Sequence, residues 1–131
     1  MANNQTIKGS NVIQYYNTLQ ERKDTVYPIK VSLAIAYNLK MLEPLNEIVN
    51  NARLKVAEKF GKRDENGNLI IDGNTIPIQD DMKDEANERL ATISDEEFFI
   101  QGFKKIKMED FTGITELKPS DIIDISFMLE D

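Results

Sequence analysis

The chain contains no cysteine and no histidine among its 131 residues. Without cysteine there can be no disulfide, no zinc–thiolate or iron–sulfur ligation and no thiol nucleophile, a composition that suits a reducing compartment. Histidine is the commonest general base near neutral pH and the commonest transition-metal ligand, so its absence excludes histidine triads and histidine metal sites. Carboxylate chemistry is the main catalytic class left open. Glycine is sparse as well: the six at positions 9, 61, 67, 73, 102 and 113 are scattered, and they form neither a GxGxxG fingerprint nor a Walker loop. No stretch approaches the roughly 18 apolar residues of a membrane span, and the polar segment from Met1 to Lys8 lacks the apolar core of a secretion signal. The expectation is a cytoplasmic protein with no cofactor, no metal and no membrane contact.

What is present reads as a folded protein. Hydrophobic residues make up 40% of the chain and charged residues 30%. A length of this order buries roughly two-thirds of the unfolded surface, enough for one core without a metal or disulfide staple. The net charge of −7 is unevenly placed. Residues 1–62 carry nine basic and five acidic side chains, net +4, and residues 63–131 carry seven basic and 18 acidic ones, net −11. Opposite signs favour docking of the two halves against one another, or head-to-tail contacts between subunits, with the intramolecular version the simpler. Twelve lysines against four arginines, with 16 isoleucines and 12 asparagines, is a balance that AT-rich coding sequence produces, as in low-GC bacteria and their phages.

Periodicity predicts an α+β domain over residues 10–131 behind a flexible N-terminal arm, residues 1–9, which shows no pattern. Ser10 is placed to cap a first helix through Arg22 that presents Val12, Ile13, Tyr16 and Leu19. Asp24 to Pro28 then forms a connector, since Pro28 keeps Tyr27 out of helical angles. From Ser32 to Phe60 a long helix is predicted: Ile35, Leu42, Val49 and Val56 recur every seven residues, with Asn38, Leu45, Ala52 and Lys59 interleaved and Phe60 next in line. Pro44 lies inside it, yet Leu42, Leu45 and Val49 keep phase across the proline, which predicts a kinked continuous helix rather than a break. Gly61 ends it, with Lys55, Lys59 and Lys62 near the negative end of the dipole. Leu69–Ile71 and Thr75–Ile78 read as a β-hairpin with Pro77 on its edge strand. Residues 80–91 read as a short acidic helix with Met82, Ala86, Leu90 and Ile93 inward. Residues 96–108 read as a strand bulged at Gly102, although Ser94 to Glu97 could also cap a helix. Pro119 opens a last helix through Leu129, with Asp121 in its first turn and Ile122, Ile125 and Met128 or Leu129 turned inward.

Four features invite a chemical reading. Asp64, Asn66 and Asn68 are spaced like the start of an EF-hand loop, but the sixth position is Leu69 instead of Gly and the twelfth is Thr75 instead of Glu. A structural turn is the better reading, and no metal ligands follow. Asp80, Asp84 and Glu88 share one face within a carboxylate cluster reaching Glu97. Such a face is ordinarily solvated, but it could hold a divalent cation, pair with a basic partner or imitate nucleic-acid phosphates. Lys104, Lys105 and Lys107 among Phe98, Phe99 and Phe103 resemble the basic and aromatic mixture of single-strand nucleic-acid binders. Three lysines in a chain of pI ≈ 4.7 do not outweigh its acidity, so direct nucleic-acid binding is not expected. The apolar seam, Ile35, Leu42, Leu45, Val49, Val56 and Phe60, belongs either to the core or to a helix–helix interface.

The order of features resembles small uncharacterised proteins of phages and prophages of low-GC Gram-positive bacteria. It rests on the long helix ending Phe60-Gly61-Lys62-Arg63, the turn Asp64 to Asn68, a hairpin, an acidic helix and the ending Leu117 to Ile122. The resemblance spans residues 32–131 and implies a viral context, but supplies no catalytic motif. Together these readings predict a non-enzymatic protein that binds a protein partner in an accessory or host-factor-binding role. The alternatives are a self-assembling virion or assembly component and an acidic nucleic-acid mimic that blocks a DNA- or RNA-handling enzyme. The candidate partner surfaces are the seam and the face of Asp80, Asp84 and Glu88.

Overall fold

The computed structural model describes residues 4–73, 75–111 and 117–130. The fold is α+β, with four α-helices and a two-stranded antiparallel sheet among the described residues. Strand β1 (Asn4–Lys8) runs directly into α1 (Gly9–Arg22), a short connector leads to α2 (Ile29–Phe60), and a non-repetitive segment follows. A 3₁₀ turn at Asp80–Met82 leads into α3 (Lys83–Asp95) and then β2 (Glu97–Gln101). A second 3₁₀ turn spans Met108–Phe111, and α4 (Pro119–Ile123) is followed by a third at Ser126–Met128.

Helix α2, 32 residues long, organises the molecule. Its apolar seam keeps one phase through Pro44, and the helix is continuous there, as the spacing predicts. Pro44 gives no N–H to the carbonyl of Lys40, but its ring is solvent-exposed, so the inner face is undisturbed. Val31, Ile35, Leu42 and Val49 on that face join Val12 and Leu19 of α1 in the main core. Each fully buried aliphatic side chain of this kind stabilises the fold by about 2 kcal/mol. Val56 and Phe60, at the far end of the seam, form a second cluster with Ala86 of α3, against which Met82, Leu90 and Ile93 pack. Gly61 ends α2 in extended conformation, donating its N–H to the Ala57 carbonyl.

Several sequence expectations are corrected. The arm expected over residues 1–9 is, from Asn4 to Lys8, a strand paired antiparallel with β2 in the register Ile7 to Phe98 and Thr6 to Phe99; residues 1–3 lie outside the described residues. Ile7 and Ile100 point into the core, whereas Phe99 is 83% exposed. Ser10 is not a cap: α1 begins at Gly9, whose N–H continues the ladder to the Glu96 carbonyl at 2.9 Å. A Cβ on Gly9 would lie 2.3 Å from the Ile93 carbonyl oxygen, so glycine is there to let the start of α1 cross the end of α3.

The predicted hairpin is also absent as a two-stranded ladder. Among its described residues only Asp72 and Thr75 bridge within it, and both arms turn instead to the stretch after α2, through Arg63 with Leu69 and Gly61 with Ile78. The Lys62 N–H donates to the Pro77 carbonyl and the Lys62 carbonyl accepts from Ile70, at 2.7 and 2.9 Å. Gly61–Arg63 thus lies between the arms, which suits Pro77 because it needs to supply only an acceptor. Asn74 of the predicted turn lies outside the described residues. The Asp64 turn is as expected, its Oδ1 accepting from the N–H groups of Asn66 and Asn68.

Helix α3 runs to Asp95, beyond the predicted end, with Ala86 buried and Met82, Leu90 and Ile93 beside it. The strand predicted over 96–108 holds for Glu97–Gln101 and ends at Gly102, whose φ of +78° turns the chain away. The single last helix is two short pieces, because the chain leaves α4 at Asp124 and re-coils at Ser126. That arrangement buries both Ile125 and Met128. Pro119 is at the first helical position, as predicted, and Asp121 accepts the Lys118 N–H at 2.9 Å.

A polar clasp holds this end of the chain to α1 and its connector. Arg22 donates to Asp121 at 2.5 Å and to Asp124 through Nε at 3.0 Å. The Tyr27 hydroxyl donates to the Asp121 carbonyl at 2.6 Å. The hydrogen bond that Arg22 donates to the Asp124 carboxylate raises the Arg22 pKa. Burial pushes the Tyr27 hydroxyl up to about 12, with Arg22 opposing and the two carboxylates adding to the rise. A phenol whose folded pKa lies above its ordinary value stabilises the fold fully below that ordinary value, near 10, and the contribution is lost as pH rises toward 12. In an absorbance titration of the four tyrosines, Tyr27 should ionise last and together with unfolding. Tyr27→Phe should remove that late step and lower stability by about 1 kcal/mol in urea melts at neutral pH.

Candidate partner-binding surface

The seam is an inward face. Ile35, Leu42, Val49, Val56 and Phe60 are buried in the chain's own clusters, and Leu45 is half-buried against the main one. It is therefore corrected as a partner surface: these side chains are consumed in packing α2 against α1 and α3. The acidic face is outward, with Asp80, Asp84 and Glu88 all exposed. Asp80 is not free, however. Lys62 and Lys83 lie at 3.6 and 3.4 Å, and they, Lys62 foremost, hold its carboxyl below the usual carboxylate range.

The surface that sequence reasoning missed is the other side of α2. Ile29 (74% exposed), Leu33 (63%) and Tyr37 (47%) follow one another at i, i+4 and i+8, which puts them on successive turns of one face, away from the seam. Val26 extends this stripe into the connector. The signal was in the spacing, but the stronger heptad pattern of the seam dominates the same helix. Scattered apolar side chains on a surface are normal; a row along one helix face is not.

Beside the stripe lies a groove of about 580 Å³, lined by Leu33, Ala34 and Tyr37 on one side and the segment from Lys104 to Lys107 on the other. That segment has no regular structure, so its main chain needs other partners. Asn38, fully buried on α2, supplies one pair: its Nδ2 donates to the Lys104 carbonyl at 2.9 Å and its Oδ1 accepts the Lys104 N–H at 2.8 Å. Ile106 supplies the next, pairing with Met128 and Glu130 at 2.8 Å each. Lys107 and Asp110 close a turn on one another, and the Asp110 carboxylate also lies 4.0 Å from Lys30.

The lysines read as a possible nucleic-acid patch are thus brought together at the groove, but each has local company. Lys104 lies over the Tyr37 ring at 5.0 Å and Lys105 over Phe103 at 5.6 Å. The acidic side chains of Glu109, Asp110 and Glu130 line the same groove. Phe98 is half-buried and Phe103 buried in the core, leaving Phe99 alone exposed among those three rings, on the sheet and not in the groove. The result is an apolar strip with a rim of mixed charge, which is the make-up of a protein interface more than of a phosphate track.

Among the described residues no cluster of three or more acidic side chains could hold a metal ion, and no helix is long and apolar enough to cross a membrane. Comparison of the chain with protein-family models, with curated proteins and with solved structures gives no match.

The Asn38 amide is what fixes the groove's second wall. Asn38→Leu keeps the volume close but leaves the Lys104 N–H and carbonyl without their partners, and should lower stability by about 2 kcal/mol in chemical denaturation. The same variant should accelerate amide exchange at Lys104 and Ile106 ahead of the α2 amides.

Proposed function

We propose that the protein is a non-enzymatic binding protein of phage or prophage type, acting in the cytoplasm of its host through contact with another protein. The observation that carries this reading is the exposed row Ile29, Leu33 and Tyr37 on α2. Leaving three large apolar side chains on consecutive turns in water forgoes stabilisation that burial would provide, and the core does not need them, because the opposite face already fills it. Tyr37 is of the type that dominates interface energetics, an amphipathic ring held in place by a neighbouring cation. The mixed charges around the groove would set orientation more than affinity.

The nucleic-acid-mimic reading has only the exposure of the acidic face in its favour, and the neutralisation of Asp80 by two lysines weakens it. Self-assembly through the same row is the competing use of this surface. The test is affinity capture from lysate of a low-GC Gram-positive host, comparing wild type with a Leu33→Glu/Tyr37→Glu variant whose fold is checked by circular dichroism. Wild type should retain a defined partner that the variant loses by about tenfold or more, since two central apolar contacts are each worth over ~1 kcal/mol. Equal capture by both proteins would refute the assignment. A concentration-dependent dimer in light scattering, abolished by the variant, would reassign the row to self-assembly.

A further inference from the structure

The two-stranded sheet leaves one edge of each strand unpaired among the described residues. Which peptide groups of β2 point to its free edge follows from the ladder. The Gly9 N–H donates to the Glu96 carbonyl, and in an antiparallel pair the bonded positions alternate. Phe98 and Ile100 therefore turn their peptide groups to β1, and Glu97, Phe99 and Gln101 turn theirs outward. Among the described residues nothing donates to or accepts from the main chain of those three.

Edge strands are ordinarily blunted by a lysine, a proline or a bulge. Strand β2 reads Glu97-Phe98-Phe99-Ile100-Gln101, pairs with β1 in unbroken register, and has none of these. Its middle residue, Phe99, is 83% exposed, more than any other large apolar side chain among the described residues. The ring stands on the outer face of the sheet beside Thr6, its partner in the register. The core does not need it, because Phe98 and Ile100 serve the inner face.

We infer that β2 pairs with β2 of a second copy, antiparallel about a twofold axis through Phe99, joining two sheets of two strands into one. The strand is self-complementary in that register. The outward groups of Phe99 bond to those of Phe99 in the other copy and those of Glu97 to those of Gln101, so every outward group finds a partner. Charge fits as well: Glu97 has Lys8 opposite it within the chain and the neutral Gln101 opposite it across the axis. The two Phe99 rings become cross-strand neighbours, an aromatic pair of the kind that stabilises sheets. The free edge of β1 is the poorer choice, because the same symmetric arrangement sets Thr6 against itself and covers no large apolar side chain. A strand of another protein could add to the β2 edge, but the match of Phe99 with itself and of Glu97 with Gln101 selects a second copy. The contact is small, five residues a side, and belongs at the weak end of specific interfaces, so the dimer is concentration-dependent. The net charge of −7 on each copy opposes it only at long range, because screening at physiological salt acts over about 8 Å.

This contact is separate from the Ile29–Tyr37 row and does not rest on the use assigned to it. The absence of cysteine allows a crosslinking test on the full chain. In Phe99→Cys the two thiols face one another across a Cα separation of about 5.5 Å, within disulfide reach. In Thr6→Cys they lie three strand spacings apart, about 14 Å. Under mild oxidation Phe99→Cys should give covalent dimer about tenfold faster than Thr6→Cys, or more. In light scattering from micromolar to millimolar concentration, wild type should dimerise and Leu33→Glu/Tyr37→Glu should do so equally. Phe99→Lys, which sets like charges opposite one another, should weaken the dimer about tenfold or more. Gln101→Pro removes an outward N–H without touching the ladder to β1 and should weaken it likewise, each variant's fold being checked by circular dichroism. The inference is overturned if wild type stays monomeric throughout, if Thr6→Cys crosslinks as fast as Phe99→Cys, if the dimer survives both β2 variants, or if only Leu33→Glu/Tyr37→Glu abolishes it.

Discussion

Asn38 sits at zero exposure in the middle of the longest helix and spends both ends of its side-chain amide on the main chain of Lys104. A buried amide without partners would be destabilising by several kcal/mol, so the position is tolerable only while residues 103–107 lie where they do. The dependence is mutual. That segment has no helix or ladder of its own to satisfy its peptide groups, yet it must carry Phe103 and Ile106 into the core. Asn38 lets it do so at one end, and the backbone pairing of Ile106 with Met128 and Glu130 does so at the other. One polar contact therefore registers the irregular C-terminal third against α2, and with it both the last core layer and the outer groove.

How far the sequence revealed this depends on the range of each interaction. The α2 seam was legible through Pro44 because helical phase is a local property, and so was the inward stripe of Met82, just before α3, with Ala86 and Leu90 of α3. Strand β1 was not, because Asn4–Lys8 makes its ladder with Glu97–Gln101, far along the chain, and nothing local distinguishes such a strand from a frayed end. Leu69 to Ile78 carries genuine turn signals, but its arms found Gly61–Arg63 instead of each other, a choice that a turn motif does not encode. Asn38 was visible as a polar break in the seam. Its amide could as well have faced a second helix until the position of Lys104 was known.

The exposed row on α2 was overlooked for a related reason. The strongest apolar pattern on a helix marks the face that pays best to bury, and the chain's own core claims it first. What the core leaves exposed is a weaker pattern on the opposite side, here Ile29, Leu33 and Tyr37. A helix with two apolar faces can reach this state only if the inner one is the more continuous, as the seven-residue repeat from Ile35 to Val56 makes it.

The charge split follows the same division between inside and outside use. Among the described residues, four ion pairs join the basic first half to the acidic second: Arg22 with Asp121 and with Asp124, Lys30 with Asp110, and Lys62 with Asp80. The opposite signs thus serve docking within one chain. The Arg22–Asp121 pair is half-buried and the Lys62–Asp80 pair exposed; exposed pairs contribute little each, and the common effect is on orientation: they bring the C-terminal segment onto α1, the connector and the start of α2, and the turn before the acidic helix onto the end of α2. Lys55 and Lys59 stand outside that scheme. They belong to the basic half, they face the acidic half across the α2–α3 contact, and yet what meets them there is the cation Arg89. If sign complementarity within the chain were the whole purpose of the split, position 89 is where a carboxylate would serve it, and the residue present is of the opposite charge.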